Sequence, residues 1–311
     1  MNTIAVGVCY GMVANNLPLP GQVANLIRSR NIGKVRFFQA HHEALRALQN
    51  SGGTEVIVGV GNDELQKISS DQAAANGWVN DNIRQFYPAT NIKYIAVGNE
   101  VLSIEKHLPY LVPAMRNIQT AVRSANLHNS IKVSTTHATS VLGNSYPPSH
   151  GEFTNELKSS MSDVLNFLVE NGSPFMANVY PYFSYNYNKA QISLDSALFR
   201  SSDPVVNDEG RLYKSLFDAL VDSLIWAMEK SGHPIVITES GWPSAGNEAA
   251  TNNLIKHVLS NAGTPKRPGR NIESYIFALF NENLKGGDEP ERHFGLFYPD
   301  QNPVYSVNFS P

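Results

Sequence analysis

Cysteine is almost missing from this 311-residue chain: Cys9 is its single example. No disulfide can form within the chain, and no cysteine-based metal cluster can be built. Charge is sparse as well. Charged residues make up 16%, and 24 Lys plus Arg stand against 27 Asp plus Glu, for a formal net charge of -3. Without a basic excess, nucleic acid has no electrostatic handle, and a neutral partner suits the balance better. No run of about 18 apolar residues occurs, so no membrane-spanning helix is expected. Met1-Asn2-Thr3 leads straight into a strand-like run, without a charged leader region or cleavage site, so no signal peptide is expected in this chain. Internal repeats, low-complexity tracts and dividing linkers are also lacking. Residues 1–311 therefore read as one domain, expected to be monomeric.

Two further absences concern the fold and its chemistry. The first apolar run ends in Tyr10-Gly11-Met12, not in the glycine-rich phosphate turn that an open, doubly wound sheet would carry. No His-x-His follows that run. His41, His42 and His137 do not form a metal-ligand pattern, so no catalytic metal is expected. Cys9 lies inside the apolar run Ile4 to Tyr10, where a free thiol behaves as a small buried hydrophobe.

Hydrophobic residues make up 42%, enough to build a large core. Apolar, β-branched runs recur along the whole chain: Ile4 to Cys9, Lys34 to Phe38, Glu55 to Val60, Tyr94 to Gly98, Ile131 to Thr135, Phe175 to Tyr180, Pro234 to Thr238 and Ser274 to Leu279. Several are almost continuously apolar, the signature of parallel strands buried on both faces. Helical spacing separates them. Leu111 to Ala125 repeats Leu111, Met115, Ile118 and Val122; Ser159 to Val169 aligns Met161, Leu165 and Leu168; Tyr213 to Met228, after the turn Asp208-Glu-Gly210, aligns Leu216, Leu220 and Leu224. About eight strands with helices between them predict an α/β fold, a single (β/α)8 TIM barrel. Two long connections, His137 to Thr154 and Pro181 to Gly210, should lie on its C-terminal face, where barrel enzymes carry their sites.

Two carboxylates fall at predicted strand tips. Glu100 closes Val97-Gly-Asn-Glu100, and Glu239 closes Val236-Ile-Thr-Glu239 before Ser240-Gly-Trp-Pro243. Both should project into the barrel mouth. A retaining glycosidase needs this pairing: one carboxylic acid protonates the leaving oxygen while the other attacks the sugar carbon, at a separation of about 5–5.5 Å. The acid requires surroundings that raise its pKa. Asn99 stands beside one of them to bond a substrate hydroxyl, and Trp242 follows the other to pack under a sugar ring. Asn178 and Tyr180, on the sixth run, are placed to orient and bond the nucleophile. Further aromatics fall in segments expected to line a groove: Phe38, Phe183, Phe280, Phe294 and Phe297.

These motifs together are specific. Val97-Gly-Asn-Glu100 with Ile237-Thr-Glu-Ser-Gly-Trp-Pro-Ser244 resembles the signature of the family 17 plant β-1,3-glucanases. Gly7-Val-Cys-Tyr-Gly11 is similar to their mature N-terminus; Phe280-Asn-Glu-Asn-Leu-Lys285 and Phe294 to Asp300 are similar to their C-terminal motifs. The resemblance runs from about residue 4 to residue 309. It implies a (β/α)8 barrel and a retaining endo-hydrolase of internal β-1,3-glucosidic bonds. It also implies Glu100 as acid/base, Glu239 as nucleophile, no cofactor, and a polysaccharide substrate as the only partner. Glu282 and Lys285 match a further charged pair of that family, placed around Glu239 and the substrate; three residues apart, they could equally bond each other. A plant enzyme is implied, secreted or vacuolar, acting on fungal wall glucan or callose in defence. The chain departs from the family at Phe38, where a tyrosine is common, and at His137. Two other readings stand beside the first: hydrolysis of mixed-linkage β-1,3-1,4-glucan with the same carboxylate pair, and glucan binding without catalysis.

Overall fold

The structure, a computed structural model, describes residues 6–51, 53–229, 235–244 and 248–309. Eight parallel strands close into a barrel in which each strand pairs with its sequence neighbours and the last pairs with the first. They are β1 (Gly7–Tyr10), β2 (Lys34–Phe37), β3 (Glu55–Val60), β4 (Asn91–Asn99), β5 (Lys132–Ala138), β6 (Phe175–Asn178), β7 (Ile235–Ser240) and β8 (Glu273–Ile276). Each apolar run overlaps one of these strands, and β4 and β5 extend furthest beyond theirs. Ile4 and Ala5 of the first run and Pro234 of the seventh lie outside the described residues.

The runs read as continuously apolar because both faces of each strand are covered. Val35 and Phe37, Val56 and Val58, and Ile235 and Ile237 point outward into the core beneath the helices. Cys9, Ile57, Ala96, Met176, Val236 and Tyr275 fill the barrel interior. Each fully buried aliphatic side chain contributes about 1.5–3 kcal/mol, and closure leaves the sheet without an edge to protect. Gly7 is needed where β1 meets β8, because a Cβ there would lie 2.3 Å from the Tyr275 ring.

Helices fill the gaps as their periodicity requires. Helix α1 spans Pro20–Ser29, α2 His42–Ala47, α3 Leu65–Ser70, α4 Gln72–Val79 and α5 Leu111–Ser124. Helix α5 buries Leu111, Met115, Ile118 and Val122 on one face. Helix α6 (Lys158–Asn171) stops at Gly172, whose φ of 57° lets Ser173 donate back to the Leu168 carbonyl at 3.0 Å. Helices α7 (Pro181–Tyr187) and α8 (Leu194–Ala197) occupy the long connection after β6; α9 (Leu216–Ala227) and α10 (Glu248–Leu259) flank β7.

One expected helix begins later than its sequence suggested. Tyr213 does not start α9. It belongs to a hairpin in which Val206–Asp208 pairs with Arg211–Tyr213. The intervening Glu209 and Gly210 have φ of 51° and 82°, the mirror-image turn that suits two twisted strands. Ser215 then caps α9, its hydroxyl accepting from the Asp218 amide at 3.1 Å. The connection after β5 contains a second small hairpin, Leu142–Asn144 with Glu152–Phe153. Both connections expected to be long loops thus carry secondary structure of their own.

Candidate active site

Strands β4 and β7 both lose regular pairing just before their glutamates. The β4–β5 register shifts between Ala96 and Asn99, and the β6–β7 register shifts between Ile237 and Glu239. Such bulges bend a strand and re-aim its side chains. At β4 the bend is completed by Gly98 at φ 72° and Glu100 at φ 54°, ψ 30°. A left-handed non-glycine residue costs of order 1–3 kcal/mol and persists only where its surroundings enforce it. Here Glu100 donates its amide to the Thr136 carbonyl at 2.9 Å. Asn62 grips the preceding residue from both sides, accepting from the Asn99 amide at 2.8 Å and donating to the Asn99 carbonyl at 3.0 Å.

The two carboxylates meet at one side-chain amide. Asn178 Nδ2 donates to Oε1 of Glu100 and to Oε1 of Glu239, each at 2.7 Å. Those oxygens lie no farther apart than twice that distance. That ceiling is compatible with the about 5–5.5 Å of retaining glycosidases and falls short of the about 6.5–9.5 Å of inverting ones.

Arg36 supports the pair from below, and nothing in the sequence reading had singled it out. It points into the barrel between the outward Val35 and Phe37 and is 1% exposed. One terminal nitrogen donates to Glu239 Oε1 at 2.7 Å, to the Thr238 carbonyl at 3.0 Å and to Asn178 Oδ1 at 3.2 Å; the other donates to Asn99 Oδ1 at 2.8 Å. Thr238 completes the frame with a bond to Asn178 Oδ1 at 2.9 Å. The remaining Glu239 oxygen accepts from the Tyr180 hydroxyl at 2.7 Å. Glu239 therefore sits beside a buried cation with donors on both oxygens. The sequence signal for Arg36 was present: a lone arginine inside the apolar run Lys34 to Phe38 requires an unusual partner.

Glu100 differs. Burial raises its pKa above the usual carboxylate range, the Glu239 charge adds to that, and the Asn178 bond and the Arg36 charge oppose it. Burial raises the pKa of Glu282 as well; it accepts from the Val13 amide at 2.8 Å. Gly11 makes room for this carboxylate, since a Cβ there would lie about 2.4 Å from it. Lys285 does not take Glu282 as its ion-pair partner: its ammonium lies 3.5 Å from Glu291 and 3.8 Å from the centre of the Phe277 ring.

A cleft of about 910 Å³ opens above this frame. Glu100 and Glu239 lie in it, flanked toward β1 to β3 by Phe38, His41, Asn62 and Asp63 and toward β6 to β8 by Tyr180, Phe183, Phe277, Lys285, Glu291 and Phe294. Arg36 stacks under Phe38, 4.5 Å from the ring centre, and Phe38 meets Phe277 edge-on at 6.0 Å. Tyr180, Phe183 and Phe294 pack on one another with centroids 5.3–6.1 Å apart. Asn62, Phe277 and Glu291 are lining residues that the sequence reading did not select.

Three expected groove residues are core residues instead. Trp242 is 6% exposed, packed among Tyr182, Tyr185, Ala197 and Ala250. Phe280 is 1% exposed and meets Tyr10 edge-on; Phe297 is 1% exposed beneath Arg30. Beyond the strand ends the chain turns these rings inward, where neighbouring apolar groups cover them and no sugar reaches. The three histidines also fall apart. His41 lines the cleft and caps α2, His42 bonds Asn82 at 2.9 Å, and His137 is fully buried against Phe175. Among the described residues, no three His, Cys, Asp or Glu side chains converge to hold a metal ion.

A barrel with paired carboxylates at the tips of β4 and β7, beneath an aromatic cleft, has the architecture of a glycoside hydrolase. The model of "Glycosyl hydrolases family 17" matches residues 6–309, and the chain belongs to that family. A glucan endo-1,3-β-glucosidase of Vitis vinifera is 47% identical, over 98% of this chain and 92% of that protein. The solved structure of a β-1,3-glucanase and allergen of Cryptomeria japonica pollen superposes with a TM-score of 0.94 at 61% identity, covering 98% of this chain and 99% of that one. A second structure, from work on two plant β-glucan endohydrolases with distinct substrate specificities, gives 0.92 at 41% identity, covering 98% and 100%.

Proposed function

We propose that this chain is a retaining endo-hydrolase that cuts internal β-1,3-glucosidic bonds of a neutral glucan such as laminarin, callose or fungal wall glucan. The observation that carries the reading is the single Asn178 amide bridging Glu100 and Glu239 at 2.7 Å on each side. In the first step Glu100 gives its proton to the departing glycosidic oxygen while Glu239 attacks the anomeric carbon from the opposite face. That bond replaces the glycosidic bond and leaves a covalent glycosyl-enzyme. In the second step the Glu100 carboxylate takes a proton from water, whose oxygen displaces Glu239 and restores the original configuration. Arg36, Asn178 and Tyr180 are positioning residues that hold the nucleophile aimed. Asn99, Glu282 and Lys285 meet sugar hydroxyls, and Phe38, Phe183 and Phe294 offer apolar faces to sugar rings.

One chain supplies every named group, which supports a monomer as the active form. Location in the apoplast or the vacuole follows from a wall-polymer substrate. Among the described residues no helix is long and apolar enough to cross a membrane. The test is a reducing-end assay on laminarin and on mixed-linkage β-glucan, with polymer length followed by size exclusion. Rapid shortening of laminarin, with the β-anomer appearing first by proton NMR, is the expected result. Release of glucose alone overturns the endo reading, activity confined to the mixed-linkage polymer overturns the linkage, and inactivity on both overturns catalysis.

A further inference from the structure

Helix α7 brings two more aromatic side chains to the edge of the cleft, and the chemistry above uses neither. Tyr187, at its last turn, is 77% exposed, an unusual position for a large ring on a helix packed into the fold. It lies across from the turn that begins at Gly286. Between them is a second cavity of about 590 Å³, bounded by Tyr182, Phe183 and Tyr187 on one side and by Gly287, Asp288 and Glu291 on the other. Phe183 and Glu291 also line the central cleft, so the two spaces are adjacent and share a wall. Asp288 and Glu291 thus face the same volume as the three rings.

The geometry points to an outer sugar-binding subsite here, in which Tyr187 stacks on a glucosyl ring and Asp288 accepts from its hydroxyls. This assignment rests on the glucan reading given above and adds the path of the polymer beyond Phe183. A sugar unit has apolar C–H faces and a hydroxyl rim. An exposed ring beside the exposed Asp288 carboxylate matches both, whereas an apolar ligand would desolvate Asp288 and an anionic one would be repelled by it. Adjacency to the cleft, through the shared Phe183 and Glu291, argues for the same polymer as the occupant, not a separate ligand. The central cleft holds the units next to the cut, and this cavity takes a unit farther out that only longer chains reach.

Binding measured by calorimetry in a Glu239→Ala background tests the subsite without turnover. Laminaritriose and a long laminari-oligosaccharide are compared for Tyr187→Ala, Tyr187→Trp and Asp288→Asn. Tyr187→Ala should lower the ratio of long-chain to triose affinity about threefold to tenfold, the loss expected for uncovering one ring face. Tyr187→Trp should restore the ratio, because stacking survives, and Asp288→Asn should lower it by a smaller factor. An unchanged ratio, or equal weakening at both lengths, overturns the subsite. Failure of the wild-type protein to cut laminarin sinks the functional reading instead. With cutting intact, an unaltered length preference sinks only the added subsite.

Discussion

Asn178→Ala separates the two carboxylates' roles. In the wild-type site this amide donates to Glu100 and Glu239 together and accepts from Arg36 and Thr238. Glu100 must be protonated for the first step, so its ionisation sets the basic limb of the kcat/KM profile. The Asn178 bond stabilises the ionised form and lowers the Glu100 pKa against burial and the Glu239 charge. Removing the donor raises that pKa further, and the basic limb moves to higher pH. A hydrogen bond to a charged group is worth about 1.5–3 kcal/mol, and one pH unit corresponds to about 1.4 kcal/mol. Water entering the vacated space recovers part of this, leaving an upward move of roughly one unit. The less firmly held nucleophile should also lower kcat at the optimum by about tenfold to a hundredfold. The assay is a pH profile of kcat/KM on laminarin, with thermal unfolding as the control for folding. A basic limb that stays put or moves to lower pH refutes the assignment of Glu100 as the acid and of Asn178 as its bridge.

Three further expectations use other parts of the site and core. Glu100→Gln should lose about 10²- to 10⁴-fold on laminarin and much less on aryl glycosides with good leaving groups; an equal loss on both contradicts the acid role. Tyr180→Phe removes the 2.7 Å donor to the nucleophile and should lower kcat about tenfold to a hundredfold with little change in KM; a change confined to KM would make Tyr180 a binding residue only. His137 is buried, and burial depresses its pKa to about 3. An unfolded histidine takes a proton near pH 6.5, so stability is lost as pH falls from there toward 3. His137→Phe should therefore lessen the drop in stability between pH 7 and pH 4 by up to about 3 kcal/mol, read by denaturant unfolding at both values. An undiminished drop would show that His137 is charged in the folded state.

The barrel was legible because strands covered on both faces need apolar side chains at nearly every position, and runs such as Glu55 to Val60 have them. The carboxylates were legible because Gly-Asn-Glu and Thr-Glu-Ser-Gly-Trp close such runs. What the sequence hid depends on contacts between distant segments. Arg36 becomes intelligible only once closure brings β2 opposite Glu239, a residue 203 positions away. The register shifts that aim Glu100 and Glu239 are set by neighbouring strands and leave no local mark except Gly98. Trp242, Phe280 and Phe297 were misplaced because a strand's two-residue alternation ends at its tip, after which tertiary packing decides which way a ring turns. The hairpin before α9 escaped notice because each of its strands is three residues long, too short for a period to show.

The central claim is that Glu239 forms a covalent bond to the sugar. Glu239→Ala removes the carboxylate and leaves Glu100, Arg36 and Tyr180 in place. The variant should fold as the wild type does, by circular dichroism and thermal unfolding, and should not cut laminarin. Azide added to it, with an activated aryl β-laminaribioside as substrate, should restore turnover by attacking from the vacated face. Proton NMR of the product then decides. The account predicts an α-glycosyl azide, inverted relative to the substrate; hydrolysis by Glu239→Ala without azide at a substantial fraction of the wild-type rate, or a β-configured azide product, would contradict it.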